Sequence, residues 1–171
     1  MPETAQTITF AEMKGAIGSL LFLWSDIERA LTKAIGKLHV EEVPKSVHGI
    51  SKSLNHWSLQ VLAGAEDRPL QSQLCQRATG MLREALAIRN LVCHGLIGIT
   101  AQRDLAGDDA HLTVELKNEV RTLTYSELQE MFRWMSRTHW LIGALTDAAI
   151  EKDAERANAK LLGWEDFPEQ K

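Results

Sequence analysis

Near the start of the chain, apolar residues recur at alternating spacings of three and four: Met13, Ile17, Leu20, Trp24, Ile27, Leu31, Ala34 and Leu38. That spacing makes one apolar stripe and predicts a long first helix over residues 10–38. Thr9-Phe10-Ala11-Glu12 fits a capping box at its start, with Ile8 and Met13 as the hydrophobic staple. Residues 41–45, with Pro44, end it. A second helix is expected over residues 46–62, burying Ile50, Leu54, Trp57 and Val61. Residues 64–69 read as a turn, and Pro69 suits the first turn of a third helix over residues 70–94. Gly95 then reads as a left-handed stop. A second capping box, Thr124-Tyr125-Ser126-Glu127, is stapled by Leu123 and Leu128 and opens a fourth helix over residues 125–159. Met131, Met135, Ile142, Leu145 and Ala149 follow at helical spacing, with Gly143 as a weak point. Residues 162–171 read as a tail whose Trp164 and Phe167 are suited to docking.

Between the third and fourth helices the period changes. Residues 96–100 and 112–116 read as short strands, with Ala106-Gly107-Asp108-Asp109 as the turn between them. The expectation is an all-α fold in one domain: an up-and-down four-helix bundle with a β-hairpin insertion over residues 96–123.

Advancing about 100° per residue along the third helix places Leu74, Ala78, Met81, Ala85, Ile88 and Val92 on one face, assigned to the core. Asn90 and His94, four apart, stack on the other side, flanked by Arg89. Leu82, Leu86 and Cys93 fall between Arg89 and the Asn90/His94 pair. A solvated face would not ordinarily carry those leucines, so a second subunit is expected to cover them. Arg89 and His94 are about 140° apart on an ideal helix. They meet if the last turn unwinds at Gly95, or if they come from different subunits; the second is preferred.

The chain has 171 residues and a formal net charge of -4, so no broad basic field advertises nucleic acid. A small local anion site is compatible with that charge. Cys75 and Cys93 show no ligand spacing and read as reduced core thiols. His48 and His56, eight apart, have no carboxylate or cysteine at ligand spacing, so no metal site or cofactor is expected. Residues 1–9 lack the basic and apolar regions of a signal peptide, and the apolar run at residues 18–24 is too short to cross a bilayer. A cytoplasmic protein without membrane attachment is expected.

The stretch that carries chemistry is Arg89-Asn90-Leu91-Val92-Cys93-His94-Gly95. It puts a permanent cation, an amide and an imidazole within two turns, the parts needed to hold a phosphodiester and move a proton near neutral pH. Arg, four residues, then His, with Asn after the Arg and Gly after the His, resembles the signature of the HEPN superfamily. The likeness extends to most of the chain in layout, but at residue level only to this heptad. It implies a small helical bundle acting as a metal-independent ribonuclease, a toxin or phage-defence effector, dimerising through this helix. It also implies cleavage to a 2′,3′-cyclic phosphate and a 5′-hydroxyl. Arg89, Asn90 and His94 are the catalytic candidates. RNA is the implied substrate, and an antitoxin protein a further partner.

Three residues are weaker candidates for substrate binding. Arg83 lies near the Asn90/His94 side, Glu28 stands on the first helix, and Tyr125 opens the fourth. Arg133 and Arg137 read as surface residues, and the tryptophans at 24, 57, 134 and 140 as core or interface. Two rival readings stand. One is a non-catalytic interaction module with the same layout, whose third helix simply dimerises. The other is a helical bundle with an internal small-molecule pocket. An arginine and a histidine before a glycine at a helix end are, on pattern alone, more often capping than catalysis.

Overall fold

In the computed structural model, which describes residues 7–39, 44, 47–101, 109–116 and 118–168, the chain is mostly helical with a small antiparallel sheet. The elements are α1 (Phe10–Leu38), α2 (Ile50–Leu62), α3 (Pro69–Gly95), β1 (Leu96–Thr100), β2 (His111–Leu116), β3 (Glu119–Thr124), α4 (Tyr125–Ile150) and α5 (Ala154–Ala159). The sequence-expected turn at 106–109, the break at 41–45 and the start at Ser46 lie wholly or partly outside the described residues.

The chain divides into two compact units. The first comprises Met1–Trp24 and Ala85–Arg133. Its helix starts are built as the sequence predicts. The Thr9 backbone N–H donates to the Glu12 carboxylate at 2.7 Å, and the Glu12 N–H donates to Thr9 Oγ1 at 3.2 Å. The Thr9 N–H, and the Thr9 hydroxyl that donates to the same carboxylate at 2.8 Å, hold the Glu12 carboxyl below the usual carboxylate range. Thr124 and Glu127 repeat the arrangement, at 2.7 and 3.2 Å. Each box satisfies two N–H groups that a helix start leaves open.

The sheet of this unit has three strands in the order β1-β2-β3. The expected hairpin thus gains a third strand, whose alternation is masked by Glu119, Val120, Arg121 and Thr122, all exposed. Leu112, Val114 and Leu123 form its buried side. Leu96 pairs with Val114 but Gly98 pairs with Thr113, so Ile97 is an extra residue, a bulge.

The second unit comprises Ser25–Glu84 and Trp134–Lys171. Ile27, Leu31, Leu54, Trp57, Val61, Leu74, Ile142 and Leu145 are buried in it, at the phases the apolar periodicity predicts. Trp57 Nε1 donates to Thr146 Oγ1 at 3.0 Å, so the buried indole keeps its polar edge satisfied. Two boundaries differ from expectation. Gly49, at φ 80°, caps α2, so helix begins at Ile50 rather than near residue 46. The fourth helix stops at Ile150, not 159, and Gly143 lies uninterrupted within it. Arg68 ends it: its guanidinium donates to the carbonyls of Ala148 at 2.9 Å and Glu151 at 2.8 Å. Asp153 then caps α5 through the Arg156 N–H. In the tail, Phe167 is buried, while Trp164 lies under the Arg137 guanidinium. Trp140, expected in core or interface, is exposed in this chain.

Candidate functional site

The last two turns of α3 carry the heptad. Arg89 and Asn90 are half-buried there, and His94 is exposed in the final turn. Arg89 Nη1 donates to Asn90 Oδ1 at 3.1 Å, so the amide braces the guanidinium. Arg89 Nε is buried with no hydrogen-bond partner. Among the described residues no carboxylate pairs with Arg89. A partly buried cation is ordinarily matched by an anion, because desolvation without a partner is costly. Among the described residues nothing opposes its charge, a fit for an anionic group arriving from outside.

Gly95 is not a left-handed stop. The described glycines with positive φ are Gly49, Gly64 and Gly163. Gly95 stays within the helix, and its need is space: a Cβ there would run into the backbone carbonyl of Glu115 on β2. Leu96 begins β1 directly, so the helix bearing His94 passes into the sheet without a connecting residue. Only a residue without a side chain lets the chain pass so close to the next strand.

Tyr125 belongs to the same unit and is half-buried at the start of α4, where its N–H donates to the Ala110 carbonyl at 2.8 Å. Arg83 and Glu28 belong to the other unit. Arg83 is exposed and its Nη2 donates to Asn55 Oδ1 of α2 at 2.8 Å; Glu28 is half-buried. The proposed interface residues separate by burial. Leu82 has no accessible surface, Leu86 keeps 8%, and Cys93 is exposed. Leu82 is therefore covered by its own chain and has nothing left to offer a second copy. The wheel put it on a non-core face because a wheel shows only angles, not which neighbours wrap the helix.

Of the catalytic candidates, Arg89 and Asn90 are in direct contact, and His94 stands one turn beyond Asn90 on the same helix. The backbone of Glu115, which fixes the end of that helix against β2, was missed by sequence reasoning. The glycine after the histidine is the local signal, and by sequence it reads as a left-handed stop. The chain matches no family model, no curated protein and no solved structure.

Proposed function

We propose that this protein is a metal-independent endoribonuclease of the HEPN type, a toxin or phage-defence effector of the cytoplasm, and that its site forms when two copies pair along α3. In this reading α1 to α4 make an up-and-down four-helix bundle with the sheet inserted before the last helix. The observation that carries it is the half-buried Arg89 guanidinium, braced by Asn90 and opposed by no carboxylate among the described residues.

A phosphodiester supplies the missing anion. The planar guanidinium binds two non-bridging oxygens at once and stabilises the charge that builds on phosphorus. The exposed His94 imidazole accepts the 2′-hydroxyl proton. The freed 2′-oxygen bonds to phosphorus, the bond to the 5′-oxygen breaks, and that oxygen takes a proton from solvent as it leaves, while His94 returns the proton it accepted to solvent. The products are a 2′,3′-cyclic phosphate and a 5′-hydroxyl. Arg89 and His94 lie about 140° apart on a regular helix, so Arg89 of one copy works with His94 of the other. An antitoxin that covers α3 would silence the site.

The test is digestion of transfer and messenger RNA by wild type, Arg89→Ala and His94→Ala in excess EDTA, with analysis of the cut ends. Cyclic-phosphate ends from wild type, and a loss of about 100-fold or more in each folded variant, are expected. Equal cleavage by all three would end the proposal. The angular separation of Arg89 and His94 and the net charge of -4 favour one rival, a non-catalytic dimerisation module. That reading predicts an inert wild type whose dimer is indifferent to His94→Ala.

A further inference from the structure

The outer side of α1 holds two glycines that the chain's own packing does not explain. Gly15 and Gly18 lie inside the helix and are exposed. A Cβ built on either would meet nothing within 4 Å among the described residues. Glycine in a helix interior is destabilising, and one use that offsets this is the close approach of another backbone. No described residue of this chain makes that approach. Beside the glycines stand two large apolar side chains that are also uncovered: Phe22 is 65% exposed and Leu21 42%. All four residues belong to the first compact unit. An apolar surface of this kind marks a contact with another molecule.

The arrangement of the face identifies its occupant. At about 100° per residue, Gly18 is the middle of the face. Phe22 and Gly15 lie to one side of that middle, and Leu21 and Lys14 to the other. Along the helix axis each pair straddles Gly18, with the large apolar side chain after it and its counterpart before it. A second α1 laid antiparallel on the first, about a twofold axis at Gly18, therefore sets Phe22 of each copy over Gly15 of the other. The same operation sets Leu21 of each against the Lys14 stem of the other. That stem already lies along the helix, because the Lys14 ammonium sits 4.7 Å from the centre of the Phe10 ring. The face thus carries both a projection and the gap that receives it, as a twofold contact requires.

We propose that this face of α1 binds a second copy of the chain, antiparallel and centred on Gly18. The glycines let the two helix axes come closer than longer side chains would allow. Each Phe22 leaves water by covering the open backbone at Gly15 of the other copy. None of Arg89, Asn90 or His94 takes part, so the proposal does not rest on the ribonuclease reading.

The experiment is sedimentation equilibrium over a range of concentrations for wild type, Gly18→Gln and Phe22→Ser, with thermal unfolding of dilute protein beside it. Wild type should self-associate, and each variant should weaken that association by about tenfold or more. Gly18→Gln should not lower the Tm, because its side chain enters open space and replaces a helix glycine. Phe22→Ser decides the matter if Gly18→Gln does not fold. A wild type that stays monomeric, or an association unchanged in either folded variant, would overturn the proposal. In the second case the remaining dimer would be the one along α3, and the ribonuclease reading would stand untouched.

Discussion

Burial gives the two cysteines opposite chemistry. Cys75 has no accessible surface, and burial pushes its thiol up to about 11. Its raised value keeps it protonated, and so a poor nucleophile, throughout the neutral range. Cys93 is exposed one residue before His94. A disulfide-exchange reagent at pH 7.5 should find one fast thiol in the folded protein, lost in Cys93→Ser, and two after unfolding. Rapid reaction of the Cys93→Ser protein would mean that Cys75 is not sealed. If α3 is the dimer face, saturating the protein with its own partner should slow Cys93 as well. At this scale the sequence was most legible where the chemistry is local. Arg89, Asn90 and His94 stand out by residue type and offset along one helix, and the first two are in contact. The burial of Leu82 and the reason for Gly95 were hidden, because both depend on neighbours brought in by folding.

Helix starts were readable because a capping box closes on itself within four residues. The Thr9/Glu12 and Thr124/Glu127 boxes have matching hydrogen bonds, although β3 runs directly into the second. Thr124→Ala removes one half of such a box and should cost about 1 kcal/mol in a denaturant-unfolding measurement. A change under a few tenths would mean that β3 alone fixes the start of α4. For α1, the lowered Glu12 carboxyl sets the sign of the pH dependence. Its contribution is present above the ordinary glutamate value and fades as pH falls through the lowered one. Helix ends were less readable. The stop at Ile150 depends on Arg68, eighty residues earlier, reaching the Ala148 carbonyl, and nothing near Gly143 or Ile150 announces it. β3 escaped notice because its exposed charged residues suppress the alternation by which a half-buried strand is recognised.

Across the whole molecule, the acidic balance limits how RNA would be held under the proposed function. With a net charge of -4, such affinity would have to come from few phosphate contacts rather than a broad basic surface. If Arg89 and its copy in a dimer are the phosphate ligands, the logarithm of RNA affinity should fall with the logarithm of salt at a slope of about -1 to -2. Arg89→Ala should flatten it. A slope several times steeper, unaffected by that substitution, would place RNA on another surface. The helical class was legible because periodicity is a property of the whole stretch. Gly49, however, starts α2 later than periodicity suggested, since a positive φ cannot be read from spacing.

Most joints between a helix and a strand contain slack. Here α3 ends at Gly95 and β1 begins at Leu96, with the Glu115 backbone pressed against the joint. A residue added between Gly95 and Leu96 would shift β1 by one residue against β2 and turn its side chains to the opposite face of the sheet, since strand side chains alternate. It would also move the tight approach away from the glycine that permits it. The bulge at Ile97 is the nearest place where an extra residue is already absorbed. Length changes in this part of the chain should therefore be tolerated past the bulge and rejected before it, leaving His94 at a fixed number of residues from the sheet.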